Sequence, residues 1–85
     1  MLKTTYEVVK ARRSGKKFDS LTDAILYARE AAKDSELCVV PIWGDGLIIA
    51  VVTDDGNGVT VNRLIDWRWV SREDQQVWET FEAGV

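Results

Sequence analysis

The sequence predicts an α+β fold with a four-stranded, mainly antiparallel sheet and elements in the order β-α-β-β-β-α. Three patterns indicate this fold: two segments with helical spacing of apolar residues, two adjacent apolar runs separated by Asp-Gly, and one segment of alternating polarity. We expect the first helix to pack on one face of the sheet. The last helix, or a second copy of the chain, would cover the other face.

The first predicted strand covers residues 3–12, which include β-branched and aromatic side chains. Alternation places Tyr6 and Val8 on one face of this strand. Ser14 and Gly15 follow it and are typical of a turn.

The first predicted helix covers residues 21–33. Ser20 can cap its free N-H groups, and Asp23, three residues later, completes a capping box. The apolar residues recur at helical spacing and are mostly small, so we expect a close approach to the sheet. They are Leu21, Ala24, Ile25, Ala28 and Ala32.

Two nearly continuous apolar runs, residues 37–43 and 47–52, predict a pair of antiparallel strands. Gly44, Asp45 and Gly46 separate them, and Asp-Gly suits a type I′ hairpin turn. Because both faces of these runs are apolar, both faces need cover. Pro41 cannot donate a ladder hydrogen bond, so we expect its strand to be an edge or to contain a bulge.

Residues 59–70 alternate between apolar and polar side chains and predict a strand. The apolar face would contain Val59, Val61, Ile65, Trp67 and Trp69. A strand of this length is too long for so small a domain. We therefore expect a bend, a bulge or a projecting end that carries the tryptophans.

The last predicted helix covers residues 72–82. Ser71 can cap it, with Asp74 at the third position. Val77, Trp78 and Phe81 form its apolar stripe, and Gly84 follows its end.

Size and composition predict a single compact domain over residues 1–85. Apolar residues make up 46% of the chain, which is typical of a globular protein. No apolar stretch approaches the roughly 20 residues of a membrane-spanning helix, and no signal peptide is evident. With a single cysteine, Cys38, these features favour a cytoplasmic protein without a membrane partner.

The residues do not predict an enzyme. The chain contains no histidine, and Cys38 lies in an apolar run with no base to activate it. Residues 53–58 resemble the middle of a calcium loop, but Thr53 and Leu64 stand where that loop needs carboxylates. We interpret these residues as a turn, and we predict no metal and no cofactor.

The main functional hypothesis is a small, acidic, non-catalytic protein-binding module, an adaptor or an inhibitor of a larger protein machine. Such proteins are often encoded by phages or mobile elements. Tryptophan and arginine dominate binding hot spots, and the last helix is acidic. The candidate partner-binding residues are Trp67, Arg68, Trp69, Glu73, Asp74 and Glu79. The alternative for Trp67 and Trp69 is packing in the core, where Trp43 and Trp78 are also predicted to lie. A homodimer is a further expectation.

The alternative hypothesis is nucleic-acid binding through the basic turn at residues 10–17. Cations there could bind phosphates through charge and counterion release. The candidate residues are Lys10, Arg12, Arg13, Lys16 and Lys17. The net charge of -3 makes nucleic acid the less favoured partner.

Overall fold

The computed structural model describes residues 4–9, 15–34 and 39–82. Five antiparallel strands form one sheet in the order β2-β1-β3-β4-β5. The strands are β1 (Tyr6–Val8), β2 (Lys16–Phe18), β3 (Val39–Gly44), β4 (Leu47–Asp54) and β5 (Val59–Arg63), and the helices are α1 (Leu21–Asp34) and α2 (Arg72–Glu82). The α+β class is confirmed, but the predicted count of four strands and the predicted element order are wrong.

The additional strand comes from the N-terminal part of the chain. The predicted strand at residues 3–12 shortens to β1, and β2 pairs with it in the register Tyr6 with Phe18 and Val8 with Lys16. Two lysines in a three-residue strand give no apolar pattern of their own. A short, charged strand is typical of the edge of a sheet, which is the position of β2.

Helix α1 has the predicted start and the predicted buried face. The backbone N-H of Asp23 donates to the Ser20 hydroxyl at 3.4 Å, which caps the first turn. All five residues of the predicted stripe are buried, and so is Ala31. Small side chains at these positions let the helix lie close to the sheet.

The hairpin between β3 and β4 has the predicted Asp-Gly turn. Asp45 has φ 50° and Gly46 has φ 84°, and positive φ at both central residues defines a type I′ turn. Glycine adopts this conformation without a steric penalty, whereas a residue with a side chain at the second position incurs one.

Replacing Gly46 by alanine should therefore destabilise the fold by about 1–2 kcal/mol, since the φ of 84° forces a left-handed conformation on the new side chain. Space is not the cause, because a Cβ at this position would have no neighbouring atom within 4 Å. Urea denaturation would measure the effect. An unchanged midpoint would show that the turn relaxes without cost.

Pro41 lies in an interior strand rather than at an edge, because β3 pairs with both β1 and β4. The predicted irregularity is present: the β3–β4 register shifts between Ile42 and Trp43. Strand β1 pairs only with Ile42 to Gly44 of β3, so the ladder between β1 and β3 ends one residue before Pro41. The missing donor of proline is tolerated where a ladder has ended.

The predicted strand at residues 59–70 ends at Arg63. Ile49 lies in β4 opposite the register shift of β3. Its carbonyl accepts hydrogen bonds from the N-H groups of both Leu64 and Ile65, at 2.8 and 3.3 Å. Strand β4 begins at Leu47, so little partner strand remains beyond that point. The chain then forms a 3-10 turn, Trp67–Trp69, capped by the Asp66 side chain, which accepts from the Arg68 N-H.

Both helices lie on the same face of the sheet. Helix α1 contacts all five strands, and α2 contacts β5 and α1. The core between these layers contains residues of α1, the inward-facing residues of the strands, and Trp78 of α2. The expectation that α2 covers the opposite face is wrong, because the partly buried Val77 and Phe81 join Trp78 in this core.

The opposite face of the sheet has no cover from the described helices and strands. Directly paired residues share a face, and pairing places Pro41 beside Val51 and Trp43 beside Ile48. We call this whole side of the sheet the open face. With Val39, these residues form its apolar centre. Ile48 is 41% exposed and Val39 is 45% exposed. Trp43 is only partly buried here, so its predicted place in the core is wrong.

In the part of the chain that the structure describes, neither α1 nor α2 is long and apolar enough to cross a membrane. The predictions for Ser14, Cys38 and Gly84 fall outside the described residues.

Candidate functional site

A groove of about 470 Å³ opens at one end of the sheet, between the β3–β4 hairpin, the 3-10 turn and the start of α2. We call it the Trp69 groove. Its lining residues are Thr4, Tyr6, Gly44, Asp45, Leu47, Ile49, Ile65, Trp69, Val70, Ser71, Asp74 and Trp78. Most of the lining is apolar, and carboxylates and hydroxyls lie among the apolar groups, as is common in binding sites.

Leu47 and Trp69 are the most exposed large apolar residues of the described chain, at 68% and 76%. The tight hairpin turn fixes Leu47, which is the first residue of β4 and pairs with Gly44. Asp66 fixes the turn that carries Trp69, because the Trp69 N-H donates to the Asp66 carbonyl at 2.9 Å. Both side chains are thus held on ordered backbone, which lowers the entropy cost of binding.

The inner part of the groove depends on a glycine. A Cβ at Gly44 would lie 3.2 Å from the Ile49 Cδ1 and 3.6 Å from Tyr6, so these side chains occupy the space that glycine leaves. Trp78 of α2 reaches the same region and is 1% exposed. The groove therefore continues the hydrophobic core to the surface.

Two carboxylates give the groove a negative edge. The Tyr6 hydroxyl donates a hydrogen bond to Asp74, and the Thr4 hydroxyl donates to Asp45 at 3.1 Å. Burial, together with the hydrogen bond and the charge of Asp74, raises the pKa of Tyr6 above its ordinary value. The described lining residues include no lysine or arginine. A cation brought by a partner would therefore be favoured there.

Two of the predicted partner-binding residues, Trp69 and Asp74, line this groove. Trp67 points elsewhere: it packs against the core, and the Arg63 guanidinium lies 4.7 Å from its ring centre. Arg68 pairs with Asp66 at 3.0 Å, which lowers the pKa of that carboxyl. The prediction that Trp67 and Trp69 share a strand face is wrong, since both lie in the 3-10 turn.

The other predicted acidic residues are exposed on α2. Glu73 lines a neighbouring hollow between the starts of α1 and α2. Glu79 lies further along α2 and is not among the residues that line the Trp69 groove. They add negative charge to the same helix without joining one site.

Two of the basic residues of the predicted turn are described, and they lie on opposite faces of strand β2. The Lys16 ammonium lies over the aromatic rings of Phe18 and Tyr27, at 5.6 and 5.1 Å. Lys17 pairs with Glu7 across the strands. Lys10, Arg12 and Arg13 lie outside the described residues. Nucleic-acid binding through this turn stays a prediction.

The turn at residues 53–58 joins β4 to β5, as predicted. Its carboxylates accept hydrogen bonds from backbone N-H groups: Asp54 from Gly56 at 2.9 Å, and Asp55 from Asn57 at 2.8 Å and from Gly58 at 3.1 Å. These bonds stabilise the turn in the manner of Asx turns. Among the residues described, no cluster of three potential metal ligands occurs.

The sequence did not indicate Tyr6, Leu47 or Ile65 as parts of a site. Each lies in or just after a strand and is apolar or aromatic, so each is expected in a core. The useful signal was the position of Leu47 directly after the Asp-Gly turn, at the end of the β3–β4 hairpin.

Comparison of this chain with known protein families, with curated proteins and with solved structures gives no match.

Proposed function

We propose that this chain is a non-catalytic protein-binding module, an adaptor or an inhibitor, that binds a partner through the Trp69 groove. The observation that carries the proposal is the placement of Trp69 and Leu47, both highly exposed, on either side of an apolar groove. Exposed tryptophan held on ordered backbone is typical of interface hot spots.

The groove favours a partner segment with a large apolar side chain next to lysine or arginine. The apolar side chain would fill the space lined by Ile49, Val70 and Trp78. The adjacent cation would lie near Asp45 and Asp74, which supply negative charge without a competing cation in the described lining. Glu73, on the same helix, adds to this negative charge.

Selection from a random-peptide display library against the immobilised protein tests this proposal. We expect enriched peptides to contain a large apolar residue beside lysine or arginine. Trp69→Ala and Leu47→Ala should each weaken binding of a selected peptide by about tenfold or more, since hot-spot residues contribute at least about 1–2 kcal/mol.

Leu64→Ala is the matched control for Leu47→Ala. Leu64 is 59% exposed but does not line the groove, so binding should be unchanged. Peptides with no basic residue, or equal binding by the Leu47 and Leu64 variants, would contradict the proposal.

A further inference from the structure

The open face of the sheet, on the side away from both helices, is a second surface with exposed apolar side chains. Its centre is apolar, yet Val39 and Ile48 are 45% and 41% exposed. An antiparallel sheet commonly leaves one face in solvent, but that face then carries polar side chains, so an apolar centre there is unusual. In the described part of the chain, cover is present on the helix side alone.

The charge of the open face differs from that of the helix side. Among the described residues of its strands, the charged ones are Glu7 and Lys17, which pair directly across β1 and β2 and so offset one another. Asp45 of the hairpin turn lies beside them and leaves a small negative charge at that end. Towards the other edge, Thr53 pairs with Thr60 and Asn62 lies beside Val51, so that edge is polar and uncharged. Helix α2, by contrast, carries four carboxylates.

A face with little net charge does not attract a highly charged partner, but it lets two copies of this acidic chain approach with little repulsion. We propose that the open face is a homodimer interface, in which two sheets pack face to face with the helices outside. Packed sheets lie about 10 Å apart with interdigitated side chains. Trp43, Ile48 and Val51 would form the centre of this contact.

The area available on the open face can accommodate a standard dimer interface. The Cα atoms extend over 37 × 29 × 18 Å, and the shortest extent suits one sheet plus one helix layer. An ellipse with the two longer axes outlines the whole described chain and covers roughly 840 Å², so the upper limit for this face reaches the roughly 800 Å² per partner of a standard protein interface. The polar edge and apolar centre match the usual composition of such interfaces.

Sedimentation velocity over a range of protein concentrations tests this proposal. We expect the full chain to sediment with twice the monomer mass at high concentration and to dissociate on dilution. Ile48→Lys should halve the mass, because it places a charge at the centre of the contact. A wild-type chain that stays monomeric at every concentration would overturn the proposal.

Leu26→Lys is the matched control, because Leu26 is 45% exposed on α1, on the helix side. It should leave the dimer intact, and a monomeric Leu26 variant would overturn the proposal. If circular dichroism shows that Ile48→Lys is unfolded, Val39→Lys on the neighbouring strand decides in its place. Trp69→Ala should also remain dimeric, which separates this interface from the Trp69 groove.

Discussion

Replacing Trp78 by alanine should destabilise the protein by about 3–5 kcal/mol, the usual cost of removing a large buried aromatic side chain. Trp78 is 1% exposed and is the buried residue of α2 among those described. A small domain has a total stability of about 5–15 kcal/mol, so a large share of it would be lost. Urea denaturation followed by circular dichroism would measure the change.

Trp69→Ala is the matched control, because it removes the same side chain from a site that is 76% exposed. Its stability should stay within about 0.5 kcal/mol of wild type, as for most surface substitutions. The urea midpoint of the Trp78 variant should fall while the slope stays similar. Equal midpoints for the two variants would show that α2 is not held by Trp78.

Both helices could be predicted from the sequence because their signals are local. Ser20 and Ser71 each accept a hydrogen bond from the backbone N-H three residues later, and each precedes a helical stripe. The Asp45–Gly46 turn is local in the same sense, since the two residues determine the turn type. Such signals do not depend on the rest of the fold.

The remaining features depend on contacts between distant residues. Strand β2 exists because it pairs with β1, and its two lysines carry no strand pattern of their own. The side of the sheet that α2 covers is also a tertiary property, because the stripe around Trp78 would look the same on either face. The alternating pattern at residues 59–70 continued past the point where β4 could supply a partner.

Only part of the candidate site could be predicted, because its assembly also depends on contacts between distant residues. Trp69 and Asp74 were named as candidates from the sequence because tryptophan is frequent in binding hot spots and the last helix is acidic, but the exposure of Trp69 is a property of the fold. Tyr6 and Leu47 join them through sheet register, since both pair with Gly44, one across β1 and β3 and the other across β3 and β4. A register that joins residues 6, 44 and 47 is not visible in the sequence.

The hydrogen bond from Tyr6 to Asp74 ties β1 to α2 and should make stability fall at alkaline pH. Burial, followed by the bond to Asp74, raises the pKa of Tyr6 in the folded protein above its ordinary value of about 10. The folded state therefore keeps this proton at a pH where the unfolded chain loses it. The resulting stabilisation is complete below about pH 10 and is lost as pH rises towards the folded pKa.

Tyr6→Phe removes both the hydrogen bond and the titration. At neutral pH the variant should be less stable than wild type by about 1–2 kcal/mol, because Asp74 loses a donor. Above about pH 10 the gap should narrow by at most about 1.4 kcal/mol per pH unit, since wild type alone carries this titration. Over two pH units this limit amounts to about 2–3 kcal/mol, so the gap narrows measurably if the folded protein retains the Tyr6 proton across that range.

Urea denaturation of both proteins between neutral pH and about pH 12 measures this difference, and the lysines and arginines common to both cancel in it. Tyr27→Phe is the matched control, because the Tyr27 ring packs against Phe18 rather than against a carboxylate. A gap between wild type and Tyr6→Phe that stays constant across this range would show that the folded protein does not retain the Tyr6 proton. The hydrogen bond between Tyr6 and Asp74 would then not make the free energy of unfolding fall at alkaline pH. The negative edge of the Trp69 groove would come from Asp45 and Asp74, without a neutral Tyr6 hydroxyl beside them at that pH.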